Sequence, residues 1–101
     1  MIGLEPVAQF PGAGPLFEMG RLLITPGALE KINRDDVLRC LGRHSRGDWG
    51  ELDEEDWLTD QHALKHGGRL FSVYRSQDNE RFYIITEADR SATSILLPDE
   101  Y

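Results

Sequence analysis

The chain has 101 residues, of which 40% are hydrophobic and 9% aromatic, and its formal net charge is −7. This length supports one hydrophobic core, and the sequence has neither the apolar run of roughly 20 residues that a membrane-spanning helix needs nor the start of a secretion signal. A single cysteine excludes an internal disulfide, and the excess of acids disfavours binding to phosphates. We therefore expect a cytoplasmic protein that contacts neither membranes nor nucleic acid directly.

The N-terminal fifth of the chain differs from the rest in composition. Residues 1–20 contain three prolines and four glycines, which favours an extended arm over a helix or a central strand. We expect three of its side chains to contact the body of the protein: Phe10, Leu16 and Phe17. The apolar run that follows, over residues 21–25, predicts a short strand.

Three helices are predicted between residues 25 and 66. Thr25 and Pro26 provide the cap and first position of a short helix, and Asn33 or Asp35 can cap a second helix that Gly47 ends. The second helix has a helical stripe of apolar and aromatic residues at Val37, Leu38, Cys40, Leu41 and His44. The third runs from its cap Asp53 to about His66 with a stripe at Trp57, Gln61 and Leu64, widened by Leu58.

The C-terminal third changes to the alternating pattern of strands. Runs over 70–75, 82–86 and 93–97 are rich in aromatic and β-branched residues and are separated by short polar loops, so they predict antiparallel strands. The strand at 21–25 can join an edge of this sheet. Residues 21–101 therefore predict a single α+β domain, with two to three helices packed on one face of a three- to four-stranded, mainly antiparallel sheet.

The charge is concentrated in one short stretch. Between Asp48 and Asp60 there are seven acids and no base. This pattern predicts an acidic surface that attracts a basic partner. The residues expected to bind that partner are Glu51, Asp53, Glu54, Glu55, Asp56 and Asp60, together with Glu87 and Arg90 of a later turn. The alternative is local, because carboxylates in a first helical turn also stabilise the helix, by about 0.3–1 kcal/mol each.

A second group of residues could carry catalysis. His44 and Asp48 can form a proton-transferring pair, and a turn at residues 86–91 adds two carboxylates and a guanidinium. An enzymatic site would then consist of His44, Asp48, Glu87, Asp89 and Arg90. Simpler roles explain the same residues: His44 caps its helix, Trp49 anchors the core with its indole N–H bonded, Asp89 closes a turn and Arg90 pairs with Glu87.

Metal and cofactor motifs are weak or missing. His62 and His66 share a helix face, but Ala63, Leu64 and Lys65 between them depart from the H-E-x-x-H pattern of zinc enzymes. The acidic stretch lacks the calcium-loop spacing, and no phosphate-binding loop is present in the sequence. We expect no metal and no cofactor.

Several motifs occur in a distinctive order along residues 21–101. They are Ile24-Thr-Pro-Gly-Ala-Leu-Glu30, Arg43-His44 with Gly47-Asp-Trp-Gly50, Glu55-Asp56, Ala63-Leu64 with Gly67 and Arg69-Leu70, and Thr86-Glu-Ala-Asp-Arg-Ser91 with Leu96-Leu-Pro-Asp-Glu-Tyr101. In these motifs the chain resembles a family of small "plasmid-related" proteins of bacterial mobile elements. The resemblance implies a setting on mobile DNA and a cytoplasmic location, but it implies no activity and no role for a particular residue.

These observations favour a non-enzymatic accessory protein of a plasmid or mobile element, which engages a protein partner through its acidic surface. A sharper version has that surface imitate nucleic acid against a host defence enzyme. The alternatives are a small hydrolase or nuclease-like enzyme and a structural module whose exposed sheet edge forms a homodimer.

Overall fold

A computed structural model describes residues 14–101 and confirms the α+β architecture. Three helices and a four-stranded sheet account for most of it. In chain order the elements are β1 (Arg21–Ile24), α1 (Pro26–Lys31), α2 (Arg34–Ser45), α3 (Glu54–His66), β2 (Leu70–Arg75), β3 (Arg81–Thr86), β4 (Ala92–Leu96) and a 3₁₀ turn (Pro98–Glu100). Of the helices described, none is long and apolar enough to cross a membrane.

The strands lie in the order β1-β4-β3-β2. The meander of β2, β3 and β4 is antiparallel, as its short loops predict, whereas β1 pairs in parallel with β4. Three helices separate β1 from the meander, so no hairpin imposes its direction. Beyond β2, a single bridge joins Gly50 to Val73 and covers that edge, with Glu51 N–H donating to the Val73 carbonyl at 2.8 Å. Within residues 14–101, β1 pairs on one side only, and it is therefore the free edge.

Side-chain caps place the helices where the sequence predicts them. Thr25 accepts a hydrogen bond from the Ala28 N–H, Asn33 from the Asp35 N–H, and Asp53 from the Asp56 N–H. Each cap satisfies a backbone donor that the helix leaves unpaired.

All three helices pack on the same face of the sheet. The larger core cluster combines residues of α1 and α2 with inward residues of the strands: Ala28, Ile32, Cys40, Leu41, Tyr74, Phe82, Ile84, Ile95 and Leu97. A smaller cluster of Trp49, Ala63 and Leu70 lies beneath α3. Two residues of the predicted stripes are not in this core, because Leu38 is 59% exposed and Leu58 is 63% exposed. Their inclusion was wrong, since each helix turns only a narrow face toward the sheet.

The described part of the N-terminal arm lies against the body. The Leu16 N–H donates to the Ser45 carbonyl at 2.7 Å, and the Phe17 ring stacks on Trp49. Met19 packs against the larger core cluster. Phe10, the third predicted contact of the arm, lies outside the described residues.

A contact between distant parts of the chain holds α1. One carboxylate oxygen of Glu100 accepts hydrogen bonds from the Thr25 hydroxyl and the Leu97 N–H, and the other accepts from the Gly27 N–H. The Thr25 hydroxyl, followed by the Leu97 N–H, lowers the pKa of Glu100. The 3₁₀ turn thereby fixes the start of α1 beside β4.

Candidate functional site

The acids of the predicted surface fall into three groups in the structure. The first group is paired with arginines. Asp48 accepts from Arg43 at 2.8 and 3.2 Å, which lowers the pKa of Asp48, and Glu51 accepts from Arg75 at 3.0 Å. These carboxylates are partly neutralised by the protein itself.

The second group is the acidic turn, defined here as Asp53, Glu54, Glu55 and Asp56. All four residues are exposed, and within the described part of the chain no cationic side chain lies within 4.0 Å of their carboxylates. Asp53 also caps α3 by accepting the Asp56 N–H at 2.8 Å. The acidic turn therefore combines a role in the helix start with uncompensated negative charge at the surface.

An apolar side chain lies beside the acidic turn. Leu58 is 63% exposed and follows Glu54 by four positions and Glu55 by three, so the three side chains share one face of α3. A partly exposed apolar residue with a charged rim is the usual composition of a protein-binding surface.

Asp60 forms the third group, and its predicted place on the surface was wrong. It is 3% exposed, and one oxygen accepts the Phe71 N–H at 3.1 Å. Its other oxygen, Oδ2, has no hydrogen-bond partner among residues 14–101. Burial raises the pKa of Asp60 to about 7. Asp60 lies one turn from Trp57 and Leu64 on the helix, and this spacing is the signal that places it on the inner face.

His44 lies at the centre of a buried chain of hydroxyl groups. Its Nδ1 is 2.6 Å from the Ser72 hydroxyl and its Nε2 is 2.8 Å from the Thr86 hydroxyl. The Thr86 hydroxyl is 2.7 Å from that of Thr93, which donates to the Met19 carbonyl at 2.7 Å. The four side chains are buried, His44 completely.

The carbonyl of Met19 fixes the direction of this chain. Because it only accepts, the Thr93 proton is committed to it, and Thr86 must donate to Thr93. Thr86 then accepts from the Nε2–H of His44, and Ser72 donates to Nδ1. The ring is neutral, since burial and, second to it, the charge of Arg90 lower the pKa of His44 to about 3. Each donor in the chain is used, which suits a stabilising role in the core.

The structure does not pair His44 with Asp48. The imidazole nitrogens bind Ser72 and Thr86, whereas the Asp48 carboxylate binds Arg43. Aromatic rings cover the imidazole, with Phe17 and Trp49 both in edge contact at centroid distances of 5.4 and 5.5 Å. The indole N–H of Trp49 donates to Gln61 at 2.9 Å, so Trp49 has the anchoring role described for it in the sequence.

The turn between β3 and β4 is held by backbone contacts of Arg90. The guanidinium donates to the carbonyls of Gly68, Glu87, Ala88 and Ala63 at 2.6–3.1 Å. The Glu87 carboxylate instead pairs with Arg69 at 3.6 Å, and Asp89 accepts the Ser91 N–H at 3.0 Å. The charged groups of this turn are therefore engaged within the protein, and Arg90 joins the turn to the end of α3.

This role of Arg90 leads to a stability prediction. In Arg90→Lys a single ammonium group replaces the planar fork and cannot reach all four carbonyls, so we expect the free energy of unfolding to fall by about 1–2 kcal/mol. Urea denaturation measures the loss. Arg81→Lys, at an exposed position of β3, is the matched control and should change stability by less than about 0.5 kcal/mol. Equal effects of the two substitutions would contradict the assigned role.

The two segments proposed to form one surface lie at opposite ends of α3. The acidic turn is at its start, and Arg90 contacts Ala63 and Gly68 at its end. Thirteen helical residues span about 20 Å. Glu87 and Arg90 therefore do not extend the acidic turn.

His62 and His66 face each other on α3 with ring centroids 4.5 Å apart. Over residues 14–101, no group of three or more histidine, cysteine, aspartate or glutamate side chains is arranged to hold a metal ion. The histidine pair is thus without a third ligand in this part of the chain.

The sequence predicted that the strand over residues 21–25 joins an edge of the sheet, and the structure confirms it, but the exposure of the apolar side chains of this strand was not predicted. The strand β1 is exposed along its whole length, and Leu22, Leu23 and Ile24 are 54%, 41% and 37% exposed. A run of apolar residues normally predicts a buried strand. The turn residues Thr25 and Pro26 limit β1 to four residues, and this brevity is the available signal of an edge strand.

Comparison of the chain with protein-family models, curated proteins and solved structures gives no significant match.

Proposed function

We propose that the protein is a non-enzymatic accessory protein of a plasmid or mobile element that binds a basic surface of a protein partner through the acidic turn. The observation that carries this proposal is the contrast in pairing. Asp36, Asp48, Glu51 and Glu87 each pair with an arginine, whereas the acidic turn is the one run of four consecutive exposed acids without such a partner in the described residues. Its negative charge is available to another molecule.

The neighbouring Leu58 supports binding rather than simple solvation. A leucine 63% exposed on the same helix face gives the surface an apolar contact inside an acidic rim. The carboxylates accelerate association with a basic surface and select against acidic partners, while the leucine slows dissociation once the partner covers it.

Imitation of nucleic acid is the more specific form of this proposal. Duplex DNA carries one negative charge per about 1.7 Å of its axis, and an α-helix rises about 1.5 Å per residue. The acidic turn places four carboxylates on consecutive residues at the start of a helix. Its local charge density is close to that of DNA, which suits the nucleic-acid groove of a host enzyme.

A catalytic role has less support. The hydrolase hypothesis needs His44 to exchange protons with a substrate, but this side chain is completely buried and uses both ring nitrogens on hydroxyl groups. Asp48, Glu87 and Arg90 have their own partners. We therefore favour binding over catalysis.

Neutralisation of the acidic turn tests the proposal. The triple variant Glu54→Gln, Glu55→Gln, Asp56→Asn removes three charges while retaining Asp53 as the helix cap. We expect it to bind the partner at least tenfold more weakly. The matched control removes three charges elsewhere through Glu30→Gln, Asp78→Asn and Glu80→Gln, which are all exposed. It should bind as the unmodified protein does.

The experiment is affinity capture from the bacterial host, followed by a binding titration with the purified partner. Raising the salt from 0.1 to 1 M shortens the screening length from about 10 to about 3 Å and should release the partner. If the partner binds DNA, a duplex should compete with the protein for it. Equal binding by the two triple variants would rule out the acidic turn as the contact, and binding that is insensitive to salt would do the same.

A further inference from the structure

The free edge of the sheet carries a concentrated apolar surface. Eight large hydrophobic side chains are exposed in the described residues, and five of them surround this edge: Leu22, Leu23, Ile24, Leu29 and Leu38. All of these except Leu29 border a groove of about 220 Å³ between β1 and α2, in which Arg34 is the one charged residue of the lining. Soluble monomers rarely expose contiguous apolar patches beyond a few hundred Å² without a binding role.

The backbone of β1 offers hydrogen bonds at two positions. Arg21 and Thr25 turn their N–H groups toward β4, at 3.0 Å from the carbonyls of Ser91 and Ile95. Because backbone groups alternate along a strand, Leu22 and Ile24 direct their N–H and carbonyl groups away from the sheet. Pro26 has no N–H and begins α1, so the usable edge ends there.

We propose that β1 pairs antiparallel with β1 of a second copy, which gives a symmetric dimer with a continuous eight-stranded sheet. An antiparallel pair places opposite side chains on the same face. The register centred on Leu23 sets Leu22 of each copy opposite Ile24 of the other, and it uses both outward-facing residues of both copies. Four hydrogen bonds then form across the two-fold axis, with Leu23 facing its own counterpart as a non-hydrogen-bonded pair.

The charge distribution favours a second copy on this edge. Although the chain has a net charge of −7, the acidic turn belongs to α3, which packs against β2 at the opposite edge of the sheet from β1. Three strand spacings, about 14 Å, separate β2 from β1. Two copies can thus meet through leucine and isoleucine side chains with their acidic turns held far apart.

The size of the surface sets the strength of the dimer. The largest exposed apolar patch of a soluble protein typically measures about 300–600 Å², and a patch of that size is below the roughly 800 Å² per partner of a standard stable interface. The backbone hydrogen bonds and Leu38 of α2, which borders the same groove, add to it. We expect a dissociation constant on the order of micromolar.

Charge substitutions at the two-fold axis test the register. Leu23→Lys and Leu23→Glu each place two like charges opposite one another, so each variant of the full chain should be monomeric by sedimentation at 100 µM. An equal mixture of the two should recover a dimer. Leu58→Lys changes a leucine on α3 that is even more exposed, at 63% against 41% for Leu23, and it is the control that should remain a dimer.

Cross-linking measures the same contact directly. Opposite residues of a non-hydrogen-bonded pair have Cα atoms about 4.5 Å apart, which a disulfide can span. Leu23→Cys should therefore form a covalent dimer on mild oxidation, whereas Leu22→Cys should not, because it faces Ile24. The native Cys40 is completely buried and does not compete.

Several results would overturn the proposal. A full chain that remains monomeric at 100 µM excludes the dimer. Protection of the Leu22 and Ile24 amides from hydrogen exchange should fall on dilution below the dissociation constant. Protection that does not depend on concentration would mean that another part of the chain covers β1. A dimer that Leu23→Lys leaves intact would place the interface elsewhere.

Discussion

His44→Leu should lower the free energy of unfolding by about 3 kcal/mol, because it leaves the hydroxyls of Ser72 and Thr86 facing an apolar side chain in the core. The imidazole is completely buried, so water cannot replace its hydrogen bonds. Urea denaturation at pH 7 measures the loss. A catalytic histidine at the surface would give a stable but inactive variant instead.

A compensated variant separates hydrogen bonding from the loss of the ring. In His44→Leu, Ser72→Ala, Thr86→Val the unpaired hydroxyls are removed with the imidazole, while Thr93 retains its bond to the Met19 carbonyl. Replacing both partners of a buried hydrogen bond costs less than removing one. We expect the triple variant to recover about 2 kcal/mol relative to His44→Leu. A triple variant less stable than the single one would contradict the directed chain of hydrogen bonds.

Asp60→Asn should make stability rise with pH, by about 1.4 kcal/mol per pH unit between roughly pH 4.5 and 6, relative to the unmodified protein. The reason is that two buried groups, His44 and Asp60, have opposite effects on how the free energy of unfolding depends on pH. Burial lowers the pKa of His44 to about 3, and burial raises the pKa of Asp60 to about 7. Their ordinary values in the unfolded chain are about 6.5 and 3.9.

The signs follow from the protons bound in each state. In this window the unfolded chain has a protonated His44 and an ionised Asp60, and the folded chain has the reverse, so the two contributions to the slope cancel. Without Asp60, His44 alone makes stability fall as the pH decreases. Without His44, Asp60 alone makes stability fall as the pH increases.

Urea unfolding at a series of pH values tests this balance. Between about pH 4.5 and 6, Asp60→Asn should lose about 2 kcal/mol on acidification relative to the unmodified protein, and His44→Leu should gain about as much. The second variant serves as the control of opposite sign. Parallel stability curves for all three proteins would show that neither group has a displaced pKa.

The sequence predicted most of the secondary structure because particular residue types mark where each helix begins and ends. Thr25, Asn33 and Asp53 each cap a helix through a side-chain oxygen, and Gly67 ends α3 at φ 93°, which a glycine adopts readily. The meander followed from short polar loops. These signals are local, and no distant part of the chain is needed to interpret them.

The remaining features depend on distant contacts. The strand β1 pairs in parallel with β4 although three helices separate it from the meander along the chain. No tight turn in the sequence connects the two strands, so nothing local determines whether they run parallel or antiparallel. Leu58 and Asp60 are two positions apart on α3, yet one is 63% exposed and the other 3%. Helical spacing predicts a stripe, but the position of the sheet beneath it determines which flank is covered.

The candidate site was likewise predicted only in part from the sequence. The sequence identified the acidic stretch, but the arginines that pair with Asp48 and Glu51 come from α2 and β2, so their proximity required the fold. The hydrogen-bond partners of His44 were also not predicted from the sequence. Ser72, Thr86 and Thr93 lie at inward positions of three adjacent strands, where hydroxyls among apolar residues are the available sign of a buried polar partner.

The contact between Glu100 and the start of α1 constrains how the chain folds as a ribosome makes it. The Thr25 hydroxyl and the Gly27 N–H donate to the carboxylate of Glu100, which is synthesised more than seventy residues later. In the same way, β1 cannot pair until β4 has been synthesised. Their closure comes after nearly all of residues 14–101 have emerged. Until then β1 and α1 lack their neighbours, and the apolar side chains at their surface are open to chaperones and to other nascent chains.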